Sequence, residues 1–394
     1  MENSILNECK LINNKLVELR RELHKFPEIG DNLPITRDIV IRELKSMGIE
    51  YRLNKSDTGI VADIVGGHSG KTIAFRADMD GLHIDEKTDM PFKSEIEGQM
   101  HGCGHDAHTA ILLMAAKVIN EHKDALSGRV RLIFQTGEET GTGAKTMISE
   151  GVLEGVDSVC AVHVGNLSGD ELKAGTLALI PGPVTAGKDK FVITVNGKGT
   201  HSAYPQNGID PILIAARIVN ACEEIKAREL PATSASVLSF GSFNAGIDHN
   251  TIPDKAVIKG SIRAQLISER DFIGERLKEI CESISKAFRA ECNVDLKRGS
   301  QTVMNDEKIT LEFADELRKY FGDEVITTAP SPLMGSDDFA NYASKVPSVM
   351  FFLTTNNQEK GIIERNHNPK FDIDEDVLWR GVLAYVVIAL KYLK

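Results

Sequence analysis

The chain has 394 residues, 42% hydrophobic and 26% charged, with a formal net charge of -11 at pH 7. That length calls for about two domains, the apolar share excludes a disordered chain, and an acidic balance without a basic stripe excludes nucleic acid as the main partner. The six cysteines show no pairing pattern, Met1 opens no basic-then-apolar export signal, and the longest apolar stretch, 381–390, is far short of the ~20 residues a bilayer needs, so a cytoplasmic protein with reduced thiols and no membrane contact is expected.

Apolar residues at helical spacing (Leu11, Leu16, Leu19, Leu23) predict a helix over 5–26, stopped by Pro27, and a second helix spans 36–47, closed by Gly48. Residues 63–65 and the apolar run 72–77 read as strands, the latter buried on both faces and ending in Asp78-Met79-Asp80-Gly81. The cluster 100–109 packs three histidines, a cysteine and an aspartate into ten residues and leads into an apolar helix reaching about His122. Strands follow over 130–135 and 159–164, with a short helix over 144–149 between them; they finish near Glu138-Glu139 and on His163. In an open α/β sheet, groups at the carboxyl ends of strands share one crevice. After Pro181-Gly182-Pro183 the texture changes. Strands over 190–196, 234–243, 256–264 and 293–297, with helices over 210–225 and 272–290, give a β-α-β-β-α-β order, the split ferredoxin-like pattern. We read 187–298 as an inserted second domain. The first domain, 1–186, resumes over 299–394 with a helix at 309–320, a strand at 348–354 and a long terminal helix at 375–393. No internal repeat or low-complexity tract is present.

Several side chains carry two readings. Gly102 and Gly104 let Cys103 and His105 converge on one cation, or form a polar turn before a helix. Glu138-Glu139 is either a solvated acidic turn or a metal ligand beside a general base. Asp78 and Asp80 are turn residues, or Asp80 hydrogen-bonds a ligand imidazole and fixes its tautomer. His163 reads as a core histidine or a ligand, and His367, between Asn366 and Asn368, as a solvated turn residue or a ligand. His201 in its Gly-flanked loop, Asn250 and Arg263 are compatible with ordinary turn and strand positions.

Taken in order, seven segments resemble the dinuclear-metal aminoacylase and carboxypeptidase family. They are Arg20-Arg21-Glu22-Leu23-His24 with Pro27-Glu28, Arg76-Ala77-Asp78-Met79-Asp80, the 100–109 cluster, Thr136-Gly137-Glu138-Glu139, Gly199-Thr200-His201-Ser202-Ala203, Gly335-Ser336-Asp337-Asp338-Phe339 and His367-Asn368-Pro369-Lys370-Phe371. The branch is that of hippurate hydrolases, auxin-conjugate hydrolases and N-acetyldiaminopimelate deacetylases. The resemblance implies an α/β fold, a mixed-sheet metallohydrolase catalytic domain with an inserted ferredoxin-like α+β lid and dimerisation domain. It implies two divalent ions per subunit held by Cys103, His105, Glu139, His163 and His367, with Glu138 as general base and Asp80 orienting a ligand histidine. Asp78 stands where other branches have a metal-binding histidine; His101 and His108 match the motif without a ligand role. By the same resemblance His201 reaches an active site, usually the partner subunit's, and Asn250 and Arg263 hold the substrate carboxylate, which makes a homodimer or higher homo-oligomer part of the design. The implied reaction cleaves N-acyl-L-amino acids to a carboxylic acid and a free amino acid. A dipeptidase or carboxypeptidase of the same fold is the alternative, and a non-catalytic metal- or ligand-binding protein is the alternative of another class. The Cys103 thiolate favours Zn, Co or Ni over Mg or Ca, and manganese also occurs in the family. Gly81, Asp337 and Ser261 depart from the branch's usual Ala, Glu and Thr without removing a ligand.

Overall fold

The computed structural model describes residues 2–55, 57, 59–165 and 172–394, so Met1, where the export-signal expectation begins, lies outside the described residues. The chain divides into two compact units, Met1–Val184 with Val303–Leu333 and Asp337–Lys394, and Thr185–Thr302 with Met334–Ser336.

The larger unit is built on an eight-stranded mixed sheet in the order Tyr51–Leu53, Gly59–Val65, Ser127–Gln135, His68–Asp78, Ser158–Gly165, Ser348–Thr354, Leu177–Ala178, Val325–Ile326. Its central four strands, Ser127–Gln135 through Ser348–Thr354, run parallel, so their carboxyl ends open on one edge. These strands are apolar on both faces because helices cover both: Ile73, Phe75 and Ala77 enter one core cluster, and Ala74, Ile133, Ala161 and Met350 enter the other. The helix His105–Glu121 starts at the carboxyl edge and is buried along residues 105–116. It packs on Asn13–His24 and Trp379–Tyr392, the latter so closely that a Cβ at Gly381 would lie 3.0 Å from Ile111.

Between His68–Asp78 and Ser158–Gly165 the backbone ladder ends at the Arg76 and Ala161 pair. There the Tyr385 hydroxyl takes over, donating to Arg76 O at 3.2 Å and accepting from Val162 N at 2.8 Å.

Some element boundaries depart from expectation. The helix expected over 5–26 is two, Glu2–Leu11 and Asn13–His24, joined at Ile12, and Asn13 turns its side chain to the terminal segment: its Oδ1 accepts from Trp379 N and its Nδ2 donates to Glu375 O. The second helix begins earlier, at Pro34, whose missing N–H costs nothing in a first turn. The terminal helix opens with a 3-10 turn, Glu375–Val377, capped by Asp374. Among the described residues no helix is long and apolar enough to cross a membrane.

The smaller unit holds a four-stranded antiparallel sheet in the order Ser236–Ala245, Lys255–Ala264, Gly187–Asn196, Glu291–Arg298. Helices Pro211–Glu224 and Ile267–Ala287 cover its apolar face, onto which Phe191, Ile193 and Val195 project by strand alternation. Asp210 caps the first helix by accepting from Ile212 N at 2.8 Å. One charge points inward. Asp189 is fully buried and accepts from Arg270 Nε at 2.9 Å, Arg298 Nη1 at 2.9 Å and Gly299 N at 3.1 Å. Burial alone would raise its carboxyl, but the hydrogen bonds from Arg270 and Gly299 and the two guanidinium charges hold it below the usual value. A depressed folded value stabilises above the unfolded pKa of about 3.9 and is lost as pH falls through the folded one. Asp189→Asn is therefore expected to cost about 1.5–3 kcal/mol at neutral pH, with the gap to the parent closing below about pH 4. Urea unfolding of both proteins at several pH values checks this; a gap independent of pH would refute it.

Candidate metal centre

All the acidic, imidazole and thiol groups expected at the metals lie in the larger unit, at the carboxyl edge of its parallel strands. Asp78 ends one strand and Asp80 follows it; Glu138 and Glu139 follow Ser127–Gln135; His163 stands near the end of Ser158–Gly165; Cys103 and His105 sit at the start of the buried helix. His367 comes in from the segment after Ser348–Thr354. Donor atoms of Cys103, His105 and His163 lie within 4.8 Å of one another, as do those of Cys103, Glu139 and His367 and those of His105, Glu138 and Glu139. Two ligands of one cation, each about 2.0–2.3 Å from it, are separated by distances of this order.

The surrounding hydrogen bonds separate groups free to bind a cation from groups already committed. Val164 N–H donates to His108 Nε2 at 2.8 Å, which places the ring hydrogen on Nδ1, 2.6 Å from Asp78 Oδ1. Both nitrogens of His108 are thus engaged, and burial keeps the ring neutral by lowering it to about 4. His108 therefore cannot complete the nearby set of Asp78, His105 and His108 as a ligand, although the three lie close together. His163 is the reverse case: its Nδ1 donates to Val164 O at 2.8 Å, and Nε2, the nitrogen not committed to the backbone, faces Cys103 Sγ at 3.7 Å.

His105 is buried, yet neither ring nitrogen meets a partner in good hydrogen-bond geometry; the nearest carboxylate oxygens are Asp80 Oδ1 at 3.4 Å and Asp78 Oδ2 at 3.6 Å. Such a pair of nitrogens fits a site for a cation. Asp80 is itself fixed by accepting Glu138 N and Glu139 N, each at 3.1 Å. Two further groups shape the rim. His367 Nε2 lies 3.1 Å from Glu139 Oε1, and His367 adopts φ 70, a strained conformation for a non-glycine residue. Its N–H donates to Gly102 O at 2.7 Å, while Asn366 Nδ2 donates to Val164 O at 3.2 Å and Cys103 O at 3.3 Å, tying this segment to the helix start.

The electrostatics of these protein groups follow from their crowding. Burial and Glu139 push the Cys103 thiol up, but the imidazoles of His163 and His105 beside it prevail and hold it well below the thiol range. Burial opposes charge on His105 and His163, yet Asp78 and Cys103 respectively raise them. Hydrogen bonds with Cys103 and Glu139 raise His367 to about 10. Glu138 is driven well above the carboxylate range by burial and by Asp337, Glu139 and Asp338. Its Oε1 accepts from Asp338 N at 3.1 Å.

Sequence reasoning assigned no role to the groups beneath Glu138. Arg76 is fully enclosed and donates to Asp78 at 2.6 Å, Asp338 at 2.9 Å and Asp337 at 3.3 Å, and Gln135 donates to Asp338 at 2.8 Å. The available signal was an arginine inside an apolar run read as buried on both faces. Burial and Asp337 raise Asp338 to about 7 against the pull of Arg76.

His201, Asn250 and Arg263 belong to the smaller unit. His201 and Asn250 are exposed neighbours in a two-stranded ribbon, where Thr251 pairs with His201 and Ser202 N donates to Asn250 O at 2.9 Å. Ala203 N donates to His201 Nδ1 at 3.0 Å, so the neutral ring carries its hydrogen on Nε2. Arg263, donating to Met334 O at 2.8 Å, stands apart at the far end of Lys255–Ala264.

Gly104 fixes how Cys103 and His105 meet. It adopts φ 84, and a Cβ there would fall 2.5 Å from Val164 Cγ2. Gly104→Ala is expected to cost at least about 1–2 kcal/mol from the backbone alone and to weaken metal uptake by displacing the two side chains. Thermal unfolding and metal titration check it; unchanged metal affinity would show that the turn does not set the site.

The description of peptidase family M20/M25/M40 matches residues 74–391. The chain is 37% identical over 390 residues to thermostable carboxypeptidase 1 of Saccharolobus solfataricus, covering 98% of this chain and 97% of that one. It is 36% identical over 367 residues to the N-acetyl-L-cysteine deacetylase of Bacillus subtilis, covering 93% and 85%. It is similar in structure, with a TM-score of 0.84, 31% identity and coverage of 98% and 99%, to a Bacillus subtilis protein described as a dinuclear metal binding peptidase from the M20 family. With the matched span taking in the catalytic edge of the sheet from its first parallel strands to the terminal helix, the chain belongs to peptidase family M20/M25/M40, in the amidohydrolase branch of these metal-dependent hydrolases.

Proposed function

We propose that this hydrolase cleaves the amide bond of N-acyl-L-amino acids, giving a carboxylic acid and a free amino acid. The observation that carries the reading is the Glu138 carboxyl, buried and pinned by Asp338 N beside the donor groups of His105 and Glu139. Cys103, His105, Glu139, His163 and His367 would hold two divalent ions, with Mn, Zn, Co or Ni as candidates. Bound there, the ions would acidify water and polarise the scissile carbonyl.

Glu138 takes the proton of the attacking water and returns it to the leaving amine nitrogen. Asp80, anchored by two backbone N–H groups, orients His105. His201, with its hydrogen on the outward Nε2, donates to the substrate carbonyl, and Asn250 and Arg263 bind its carboxylate.

The spacing inside the smaller unit favours a dimer for this arrangement. The His201 ribbon adjoins the Lys255 end of Lys255–Ala264, and the strand between Lys255 and Arg263 is roughly 25 Å long at ~3.3 Å per residue. One acyl amino acid cannot touch both ends of the same unit, so His201 and Asn250 serve one subunit's site and Arg263 another's. We read 187–298 as a ferredoxin-like lid and dimerisation domain, a reading supported by its strand order, and 1–186 with 299–394 as the catalytic domain. We place the protein in the cytoplasm as a homodimer or higher homo-oligomer.

Dialysis against chelator, restoration with Mn, Co, Ni or Zn singly, and assay of amine release from N-acetyl, N-benzoyl and indole-acetyl amino acids and from dipeptides tests the proposal. Metal-restored cleavage of an acyl class supports it. Cleavage of dipeptides alone would transfer the protein to the carboxypeptidase reading, and no cleavage with metal bound would leave a binding protein.

A further inference from the structure

The two faces of the sheet in the smaller unit differ in charge as well as in cover. Helices lie on the face that carries Phe191, Ile193 and Val195, and strand alternation turns Lys188, Lys190 and Val192 to the other. Register builds this open face row by row. Lys188 stands directly opposite Arg263, and Lys190 stands between Ser261 and Lys297. In the next row Val192 separates Lys259 from Asp295. Side chains directly opposite in an antiparallel pair start about 4.5–5.5 Å apart at Cβ, so the Lys188 and Arg263 cations share one patch.

The carboxylates nearby are committed elsewhere. Asp189, between the two lysines, points to the other face and accepts from Arg270 and Arg298, and Asp295 lies 3.6 Å from Lys297. Among the described residues no carboxylate pairs with Lys188, Lys190 or Lys259. Like charges directly across a strand pair destabilise a sheet. The backbone is not free to relieve the repulsion, because Lys188 N donates to Ser300 O at 2.9 Å and Lys188 O accepts from Arg270 Nη2 at 3.4 Å. Lys188 is half-buried, and burial together with the charges of Arg263 and Lys190 lowers its ammonium. In a chain of net charge -11, such a concentration of cations is suited to an anion.

We propose that Lys188 is a specificity-determining residue that binds a second carboxylate on the amino-acid part of the substrate, so that the preferred substrates are N-acyl derivatives of aspartate or glutamate. The inference rests on the reading of Arg263 as the group that binds the α-carboxylate. With that carboxylate on the guanidinium, a short methylene spacer carries the side-chain carboxylate of the same amino acid to the neighbouring ammonium. Two anions then meet two cations, and repulsion across the row gives way to charge-assisted hydrogen bonds. The amide of Asn or Gln has the same shape but leaves the two cations without a second anion, and a basic side chain adds a third positive charge.

The test measures kcat/KM of the metal-loaded protein on N-acetyl, N-benzoyl and indole-acetyl derivatives of Glu, Gln, Asp and Asn. In at least one pair, Glu against Gln or Asp against Asn, the acid is expected to exceed its amide by about 10-fold or more. Lys188→Met should bring that ratio close to one, and Lys188→Glu should invert it. Lys188→Arg keeps the charge and should keep the preference, which separates recognition from a fold defect. Arg263→Met should lower kcat/KM for acid and amide alike. Parental ratios near one in both pairs, or a preference that survives Lys188→Met, would overturn the assignment and leave the N-acyl amino acid reading standing. Failure to hydrolyse any acyl amino acid would remove that reading and this inference with it.

Discussion

Glu138→Gln is expected to lower kcat by about 10²–10⁴-fold while metal content and KM stay close to those of the parent. The amide oxygen of Gln can still accept the Asp338 N–H that holds the native carboxyl at 3.1 Å, so the side chain keeps its place. What it loses is the capacity to take a proton from water and deliver it to nitrogen. Folding should not suffer, because the carboxyl removed is one that burial, Asp337, Glu139 and Asp338 already disfavour as an anion. Metal analysis alongside steady-state kinetics separates this role from ligation. A variant that hydrolyses at the parental rate would remove Glu138 as the base, and one that loses its metal would make it a ligand.

Arg76→Met should give the largest loss of stability among these substitutions, about 3–5 kcal/mol, the cost of removing one partner from a buried ionic group. The guanidinium is enclosed and touches Asp78, Asp337 and Asp338, so its loss leaves several carboxylates together without a cation. Methionine fills much of the volume, which makes the deficit chiefly electrostatic and not a cavity effect. Denaturant unfolding of the metal-free proteins measures it. A deficit below about 1 kcal/mol would mean that the carboxylates find other compensation.

The parts of this architecture that were legible in the sequence are those with a strong local signal. The run 348–354 is apolar between Ser348 and Thr354 and forms a strand with those limits, because burial on both faces demands that composition. The cluster 100–109 announced chemistry through composition alone. Paired strands of two residues, such as Leu177–Ala178 with Val325–Ile326, are too short to show a period and went unread. Inward charges were equally hidden: Asp189 and Arg270 are distant in sequence and each looks like a surface residue until the fold joins them. The resemblance already left His108 without a ligand role, but the physical reason, a backbone N–H from the strand Ser158–Gly165, was hidden in the same way.

The split between His68–Asp78 and Ser158–Gly165 gives the crevice its origin. Past the last backbone pair, Arg76 with Ala161, two side chains serve as successive rungs: the Tyr385 hydroxyl joins Arg76 O to Val162 N, and the His108 ring joins Asp78 to Val164 N. A hydroxyl and then an imidazole are progressively wider spacers than a direct N–H to carbonyl bond, so the strands fork while Arg76 O, Val162 N and Val164 N stay satisfied. The gap that receives ligands is thus a wedge driven into the sheet by its two central helices. Its width is set by one hydroxyl oxygen and one imidazole ring, so the buried core determines how far Asp78 stands from the strand that carries His163.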